Sequence, residues 1–328
     1  MSKIQKIFTV YASEYIKRYG HNMPESHRKV INAVINCRSG RFGVHLYKCP
    51  DCNDIHTANS SCGNRHCPSC QSDKSSRWLE KQTAKLLPCN YFLVTFTVPE
   101  ELRRFVRSNQ IICYNAIFNA ASAAMKRLVQ DKRFIGCSNP GFTGVLHTWG
   151  RDMNYHPHVH FIVPGGGLNK EKSKWLSSKP DFFIHVNPLS RMYRRLFKDE
   201  LEAHGLLDQV PSELWRKEWI VNSQAVGKGE STLKYLANYV FRVAISNNRI
   251  ISFDNNTVKF RYRKTKSRRW RVIELDVMEF IRRFLQHVLP YGLMKVRHYG
   301  FLSSTSRLAI QKIRETICCL YSIVKNVL

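Results

Sequence analysis

The chain has 328 residues, of which 43% are hydrophobic, enough for two or three domains with a sizeable core. Lysine and arginine number 52 against 24 acidic residues, which gives a formal net charge of +28. Such an excess opposes compaction unless a polyanion neutralises it, so we expect a nucleic-acid partner; charge for solubility or for anionic membranes is the alternative.

The sequence contains no run of about 18 apolar residues, the length that spans a bilayer. The first twenty residues are amphipathic and are interrupted by Glu14, Lys17 and Arg18, so they do not resemble a signal peptide. We therefore expect a cytoplasmic protein with no membrane partner. Clustered cysteines in such a compartment favour metal over disulfides.

A cysteine-rich module follows, flanked by helical apolar spacing at 24–36 and 72–87. Two CxxC knuckles each place two thiolates on one tight turn, and two such turns complete a tetrahedral shell. The predicted ligands of a structural Zn²⁺ are Cys49, Cys52, Cys67 and Cys70. A second zinc site, or else ordinary buried cysteines and surface histidines, would account for Cys37, His45, Cys62 and His66.

The middle of the chain predicts strands that alternate with a long helix. We expect strands at 91–98, 141–149 and 158–164 and a helix at 100–130. The loop between the second and third strands is short, so these two should be antiparallel neighbours.

Two histidines on the third strand predict a metal platform. His158 and His160 are separated by the hydrophobic Val159, and strand side chains alternate, so both imidazoles point the same way. Gly165, Gly166 and Gly167 follow, either to let a ligand approach the backbone or as a plain turn.

Further helices are predicted near 189–203, 211–220, 231–243, 276–289 and 305–327, with a hairpin at 249–263. The segment 264–272, directly after this hairpin, is the densest basic cluster and is interleaved with aromatic residues. The predicted DNA contacts in this segment and just before it are Arg261, Arg263, Lys264, Lys266, Arg268 and Arg269. Cations alternating with aromatics suit phosphate contact and base stacking, whereas a charged, solvated edge strand is the alternative.

Two tyrosines share one face of the helix at 231–243. Tyr235 and Tyr239 are four residues apart, and Arg242, a further predicted DNA contact, lies close to the same stripe. Taken alone, such a pair is more often boundary or core. Beside a two-histidine metal site in a basic chain, however, these are the parts needed for transesterification on DNA by a phenolate nucleophile.

These features together resemble the transposases of the insertion sequence 91 family, among the HUH single-strand endonucleases of rolling-circle transposition. The resemblance rests on NSSCGNRHCPSCQ, LHTWGRDMNYHPHVHFIVPGGG, KYLANYVFRVAISNNRI and FIRRFLQHVLPYGLMKVRHYGFL, in that order. It implies an α+β fold in which a central antiparallel sheet carries helices on one side and the metal on its exposed face. A small zinc-ribbon-like module flanked by helices would precede this sheet.

The resemblance also implies residue roles. His158 and His160 would hold Mg²⁺ or Mn²⁺, and Tyr239 or Tyr235 would nick one strand at the ends of a mobile element. A third metal ligand is expected, and of the two candidates, His147 and His156, His147 is favoured.

The implied DNA partner is single-stranded or hairpin ends in a prokaryotic, nucleoid-associated setting. We expect three domains: 1–88 with the zinc module, 89–250 with the catalytic sheet, and 251–328 with the basic hairpin and C-terminal helices. The alternatives are a plasmid replication initiator or relaxase with the same chemistry, or a non-catalytic zinc-ribbon regulator.

Overall fold

The structure is a computed structural model that describes residues 1–240, 244–263 and 269–325; the side chains at 72, 73, 238, 239 and 320–325 are outside this description. The helices of the described residues are α1 (Lys3–Tyr19), α2 (Glu25–Ile35), α3 (Ser72–Thr83), α4 (Arg103–Ser108), α5 (Gln110–Gln130), α6 (Val186–Ala203), α7 (Glu230–Val240), α8 (Val277–Leu285) and α9 (Ile310–Lys325). The strands are β1 (Val44–Lys48), β2 (Ile55–Asn59), β3 (Tyr91–Thr97), β4 (Gly141–Trp149), β5 (Tyr155–Pro164), β6 (Gly166–Leu168), β7 (Trp175–Ser177), β8 (Val221–Ala225), β9 (Ile250–Asp254), β10 (Thr257–Arg263), β11 (Trp270–Asp276) and β12 (Val296–Gly300).

The fold is α+β, built on a five-stranded antiparallel sheet in the order β12-β4-β5-β3-β8. β3 lies beside β5 in a register that pairs Thr95 with His160 and Thr97 with His158. β12 lies beside β4 and pairs His298 with Thr143. Because side chains alternate along each strand, these registers place the threonines and histidines on one face of the sheet, which we call the histidine face.

The opposite face is apolar and is covered by α5 and α6. Phe161 of β5 packs edge-on against Phe96 of β3 and Phe118 of α5, with ring centroids 5.7 and 6.3 Å apart. Phe96 in turn contacts Tyr193 of α6 at 5.0 Å. All four rings are fully buried, and this layer supplies the rigidity that the histidine face requires.

Helices also cover part of the histidine face. Leu233 and Leu236 of α7 and Ile313 of α9 belong to one buried cluster with Val145 and Ile162. Val145 and Ile162 share strand parity with His147 and His160, so α7 packs on the same face as the histidines. The implied arrangement with helices on one side only is therefore wrong, because the apolar ends of β4 and β5 on this face also need covering.

The chain forms two compact units, each assembled from three segments. One contains Met1–Arg77, Thr148–Tyr155 and Phe241–Tyr291; the other contains Trp78–His147, His156–Val240 and Gly292–Leu328. In the first unit, two side chains at the end of α8 bind the backbone of the β4–β5 loop. Gln286, which follows α8, donates to the Met153 carbonyl at 2.9 Å, and Arg283 of α8 donates to the Asp152 carbonyl at 3.3 Å. These units interleave along the sequence and do not coincide with the three consecutive domains predicted.

Most predicted elements are present, with two differences. The predicted helix at 100–130 is interrupted at Asn109, where α4 ends and α5 begins. The predicted helix at 211–220 is wrong: a short 3-10 turn at Ser212–Trp215 leads into strand β8. Trp219 is buried against Tyr193 and Phe197 of α6, and this packing overrides the helical spacing. Among the described residues, no helix has the length and apolar character needed to cross a membrane.

Candidate metal centres and the tyrosine helix

Three histidines from two neighbouring strands converge on the histidine face. His147 of β4 and His158 and His160 of β5 each offer a ring nitrogen, and these atoms lie within 4.8 Å of one another. The Nε2 atoms of His158 and His160 are 3.1 Å apart. Two imidazole nitrogens that bind one ion at about 2.1 Å lie roughly 3 Å apart when the angle between them is near 90°. The spacing therefore fits a shared metal ion.

The other nitrogen of each β5 histidine is held by a hydrogen bond. Nδ1 of His158 donates to the His156 carbonyl at 2.6 Å, and Nδ1 of His160 is bonded to the Thr95 hydroxyl at 2.7 Å. Such bonds fix the ring orientation and leave the Nε2 lone pair for a metal. The ring of His156 lies 5.1 Å from that of His158 but is not in the three-histidine group.

All three imidazoles are neutral at neutral pH. Burial lowers the pKa of His160 to about 4, and it lowers the pKa of His147 and of His158 well below the ordinary value. The neighbouring imidazoles also lower these pKa values, and the positive charge of Arg103 lowers the pKa of His158 further. The group can therefore bind a cation without first losing protons.

The fit is best for a transition metal. The three-histidine group contains no carboxylate, and imidazole suits borderline metals better than Mg²⁺, which prefers oxygen ligands. Mn²⁺ accepts nitrogen more readily than Mg²⁺, so the donor set favours Mn²⁺ of the two predicted ions.

Helix α7 carries the tyrosine pair. It begins just after Gly229, whose φ is 86°; a Cβ there would lie 2.9 Å from the ring of Tyr91. Leu233 and Leu236 are buried on the histidine face, whereas Tyr235 is 41% exposed. The backbone at 239 lies one turn further along the same helix, and the side chain of Tyr239 is outside the described residues.

The three glycines after β5 have a packing role. A Cβ on Gly166 would lie 2.4 Å from the Leu176 carbonyl, and one on Gly167 would lie 2.7 Å from Sγ of Cys137. All three are buried. Of the two interpretations, the structure favours a tight turn against β7 over a backbone open to a ligand.

A second group of metal ligands consists of four cysteines. The Sγ atoms of Cys37, Cys62, Cys67 and Cys70 lie within 4.8 Å of one another. Cys37 follows α2 and the other three precede α3, so the group joins the segment after α2 to the segment before α3. Sγ of Cys70 lies 3.2 Å from that of Cys37 and 3.4 Å from that of Cys62.

The four thiols are unequal before a metal binds. The hydrogen bond from the Cys67 thiol lowers the pKa of Cys62 to about 5, whereas burial raises the pKa of Cys37 to about 11. A thiolate at Cys62 offers a first ligand, and four thiolates close a tetrahedral shell without an open position. The group therefore supports a structural Zn²⁺.

This grouping differs from the predicted one. Cys67 and Cys70 lie with Cys37 and Cys62 and not with Cys49 and Cys52, because Cys49 and Cys52 lie at the end of the β1–β2 hairpin. The predicted ligands of a second zinc site are also separated, because Cys37 and Cys62 belong to the four-cysteine group and His45 and His66 do not. His45 Nε2 is bonded to the Ser60 hydroxyl at 2.9 Å, and His66 Nε2 accepts from the Leu289 amide at 3.4 Å.

Strands β10 and β11 carry an exposed contact between arginine and tryptophan side chains. Arg263 lies directly opposite Trp270 in the β10–β11 register, with its guanidinium 4.4 Å from the ring centroid; that of Arg261 lies at 5.0 Å. Trp270 is 48% exposed. Arg269 is described, whereas Arg242, Lys264, Lys266 and Arg268 lie outside the described residues.

Two residues beside the histidines, Thr95 and Arg103, were not predicted from the sequence. In the apolar strand β3, Thr95 and Thr97 recur at period two, which could have indicated a polar face opposite the histidines. Arg103 had no such signal, because it lies on α4 and its effect on His158 depends on tertiary packing.

Comparison with known proteins identifies the class of this chain. Residues 7–98 match the family model described as "Transposase zinc-binding domain", and residues 141–309, just over half of the chain, match the one described as "Putative transposase". The first match contains all four grouped cysteines, and the second contains the three histidines and α7. The chain is thus a transposase with a zinc-binding domain.

Two curated relatives give the family. The chain is 35% identical over 325 residues to "Putative transposase y4qJ" of Sinorhizobium fredii, covering 93% of this chain and 81% of that protein. It is 26% identical over 297 residues to "Transposase for insertion sequence element IS801" of Pseudomonas savastanoi pv. phaseolicola, covering 84% and 70%. The chain belongs to the insertion sequence 91 family of transposases. No solved structure matches it.

Proposed function

We propose that this transposase nicks and rejoins single-stranded DNA at the ends of a mobile element, through a tyrosine nucleophile beside a divalent metal ion. The observation that carries the proposal is the convergence of the Nε2 atoms of His158 and His160, 3.1 Å apart, with His147 in the same group. The helix that bears Tyr235 and Tyr239 packs on the same face of the sheet.

His147, His158 and His160 would hold Mn²⁺ or Mg²⁺. The bound ion would polarise the scissile phosphate as a Lewis acid. Thr95 and the His156 carbonyl keep the two β5 imidazoles oriented towards it. The positive charge of Arg103, close enough to lower the pKa of His158, suits an anionic phosphate at this site.

The tyrosine hydroxyl attacks phosphorus, and a new Oη–P bond replaces the bond between phosphorus and the 3′ oxygen. The phenolic proton leaves the nucleophile, and the departing 3′ oxygen gains a proton to become a free hydroxyl. The 5′ phosphate stays on the tyrosine, so the phosphodiester energy is kept. Attack by a 3′-hydroxyl on this adduct reverses the step and rejoins a strand, which is the chemistry that rolling-circle transposition needs.

Positive charge and aromatic stacking would hold the DNA. The net charge of +28 supplies nonspecific attraction to phosphates. Trp270, flanked by Arg261 and Arg263, presents a face on which an unpaired base can stack. Duplex bases are not available for such stacking, so this surface favours single-stranded substrate.

Cys37, Cys62, Cys67 and Cys70 would hold the structural Zn²⁺. Four thiolate ligands leave no coordination position for substrate, so this ion stabilises the N-terminal region and takes no part in strand cleavage.

The test is the formation of a covalent adduct. Purified protein is incubated with Mn²⁺ and a labelled single-stranded element end, and the products are separated on a denaturing gel. We expect a protein–DNA adduct that the double variant Tyr235→Phe, Tyr239→Phe does not form. Tyr291→Phe is the control, because Tyr291 is fully exposed and lies in the other compact unit. An adduct that persists in the double variant overturns the tyrosine mechanism.

A further inference from the structure

The β1–β2 hairpin lacks a hydrophobic core of its own. The two strands pair from Val44 with Asn59 to Lys48 with Ile55, and every one of their ten residues is exposed. Leu46 is 71% exposed and Ile55 is 68% exposed. An isolated two-stranded hairpin is at best marginally stable in water, so this one requires another source of order.

The turn that connects β1 and β2 contains two cysteines, Cys49 and Cys52. The amide of Cys49 donates to the Asp54 carbonyl at 2.9 Å, and the amide of Asn53 donates to the Cys49 carbonyl at 3.1 Å. Asn53 has a φ of 61°, as a tight turn requires. Cys49 and Cys52 therefore lie on one tight turn, the arrangement that places two sulfur ligands side by side in a zinc knuckle.

These two cysteines are not part of the four-cysteine group. That group is complete with Cys37, Cys62, Cys67 and Cys70, and four ligands satisfy one zinc ion. The CxxC turn at Cys49 and Cys52 is therefore available for a metal ion of its own.

A histidine lies on the same face of the hairpin. His56 is opposite Tyr47, and Cys49 is opposite Asp54, so His56 is the diagonal neighbour of Cys49. Diagonal neighbours are about 7–8 Å apart at Cα, within reach of a long side chain. The imidazole is exposed and does not lie within 4.8 Å of both sulfurs, so binding requires it to rotate towards them.

We propose that Cys49, Cys52 and His56 bind a second zinc ion, separate from the four-cysteine site, that closes the β1–β2 hairpin. Water fills the fourth position. His45 is on the same face, but it lies at the other end of the hairpin, bonded to Ser60. This inference is independent of strand transfer, because it concerns metal content and not DNA cleavage.

The test is the zinc content of the full-length protein after dialysis against a weak chelator. We expect the wild type to hold one zinc ion more per chain than the variant Cys49→Ser, Cys52→Ser, a difference that zinc bound by the three-histidine group would not change. His56→Gln should also lose this ion on dialysis, whereas the matched change His45→Gln should keep it. Because the hairpin has no core of its own, these changes should leave the rest of the chain folded, which circular dichroism checks.

Cobalt substitution supplies a second readout. The wild type should show thiolate-to-cobalt charge-transfer bands from two sites, and the Cys49→Ser, Cys52→Ser variant should lose the weaker set of the two-thiolate site. Equal zinc content in the wild type and the double-serine variant would overturn the second site. Equal zinc loss in His45→Gln and His56→Gln would overturn the role of His56.

Discussion

Thr95 provides a sharp test of the three-histidine site, because it contacts the site without being a metal ligand. Its hydroxyl is bonded to Nδ1 of His160 at 2.7 Å, from the position directly opposite on β3. Thr95→Val removes this bond and keeps the β-branched shape that a strand favours. The sheet should therefore remain folded, with a cost of about 1 kcal/mol for the lost hydrogen bond.

The expected effect is on metal affinity. Removing a partner of a metal-binding histidine typically weakens binding 10–100-fold, or about 1.4–2.7 kcal/mol. We expect the dissociation constant for Mn²⁺, measured by electron paramagnetic resonance of the free ion, to rise by that factor in Thr95→Val. Thr95→Ser, which keeps the hydroxyl, should bind Mn²⁺ nearly as tightly as the wild type.

Thr143→Val is the matched control. Thr143 is on the same face of the sheet and its hydroxyl is bonded to Nδ1 of a different histidine, His298, at 2.9 Å. His298 is not in the three-histidine group, so this variant should lose a similar hydrogen bond and keep its Mn²⁺ affinity. Unchanged affinity in Thr95→Val, or an equal loss in Thr143→Val, would refute the assignment of the site.

Three further predictions concern stability and DNA binding. Leu236→Ala removes a fully buried side chain of α7 and should lower the free energy of unfolding, measured with urea, by about 2–5 kcal/mol; a smaller loss would mean that α7 is not anchored on the sheet. The ion pair with Arg282 lowers the pKa of Glu279 from 4.5 to about 2, so its stabilisation is present above pH 4.5 and is lost as the pH falls towards 2. Glu279→Gln should therefore cost roughly 1 kcal/mol at pH 7, after allowance for screening, and thermal melts of variant and wild type should converge in acid; a constant difference would contradict this sign. Trp270→Ala should weaken binding of a single-stranded oligonucleotide by about 1–3 kcal/mol in fluorescence anisotropy, whereas Val272→Ala, on the same exposed face of β11, should not; equal losses would exclude stacking.

The alternation of residues along the strands and the lengths of the loops were sufficient to predict much of the central sheet and the shared face of its histidines. The alternation in β5 indicates that His158 and His160 share a face, and the short loop places β4 beside β5. These features follow from periodicity and chain length, which are local. The helical spacing of α7 is local in the same way.

The features that could not be predicted from the sequence depend on contacts between residues that are distant along the chain. Cys37 joins the four-cysteine group because the segment after α2 folds back beside the segment before α3, whereas spacing alone favours two adjacent CxxC pairs. β12 is short and polar, and only its pairing with β4 makes it a strand of the central sheet. Trp219 leads into β8 instead of a helix because it packs against α6. In each case tertiary packing decides between local alternatives.

The position and polarity of the covalent linkage distinguish a tyrosine nucleophile from every other route of strand cleavage. Protein joined to a single-stranded element end in the presence of Mn²⁺ is digested with trypsin, and the nucleotide-bearing peptide is sequenced by mass spectrometry. We expect a 5′ phosphate on Tyr235 or Tyr239 and a free 3′-hydroxyl on the released strand. A linkage through a 3′ phosphate, an adduct on any other residue, or cleavage without an adduct would contradict the tyrosine mechanism.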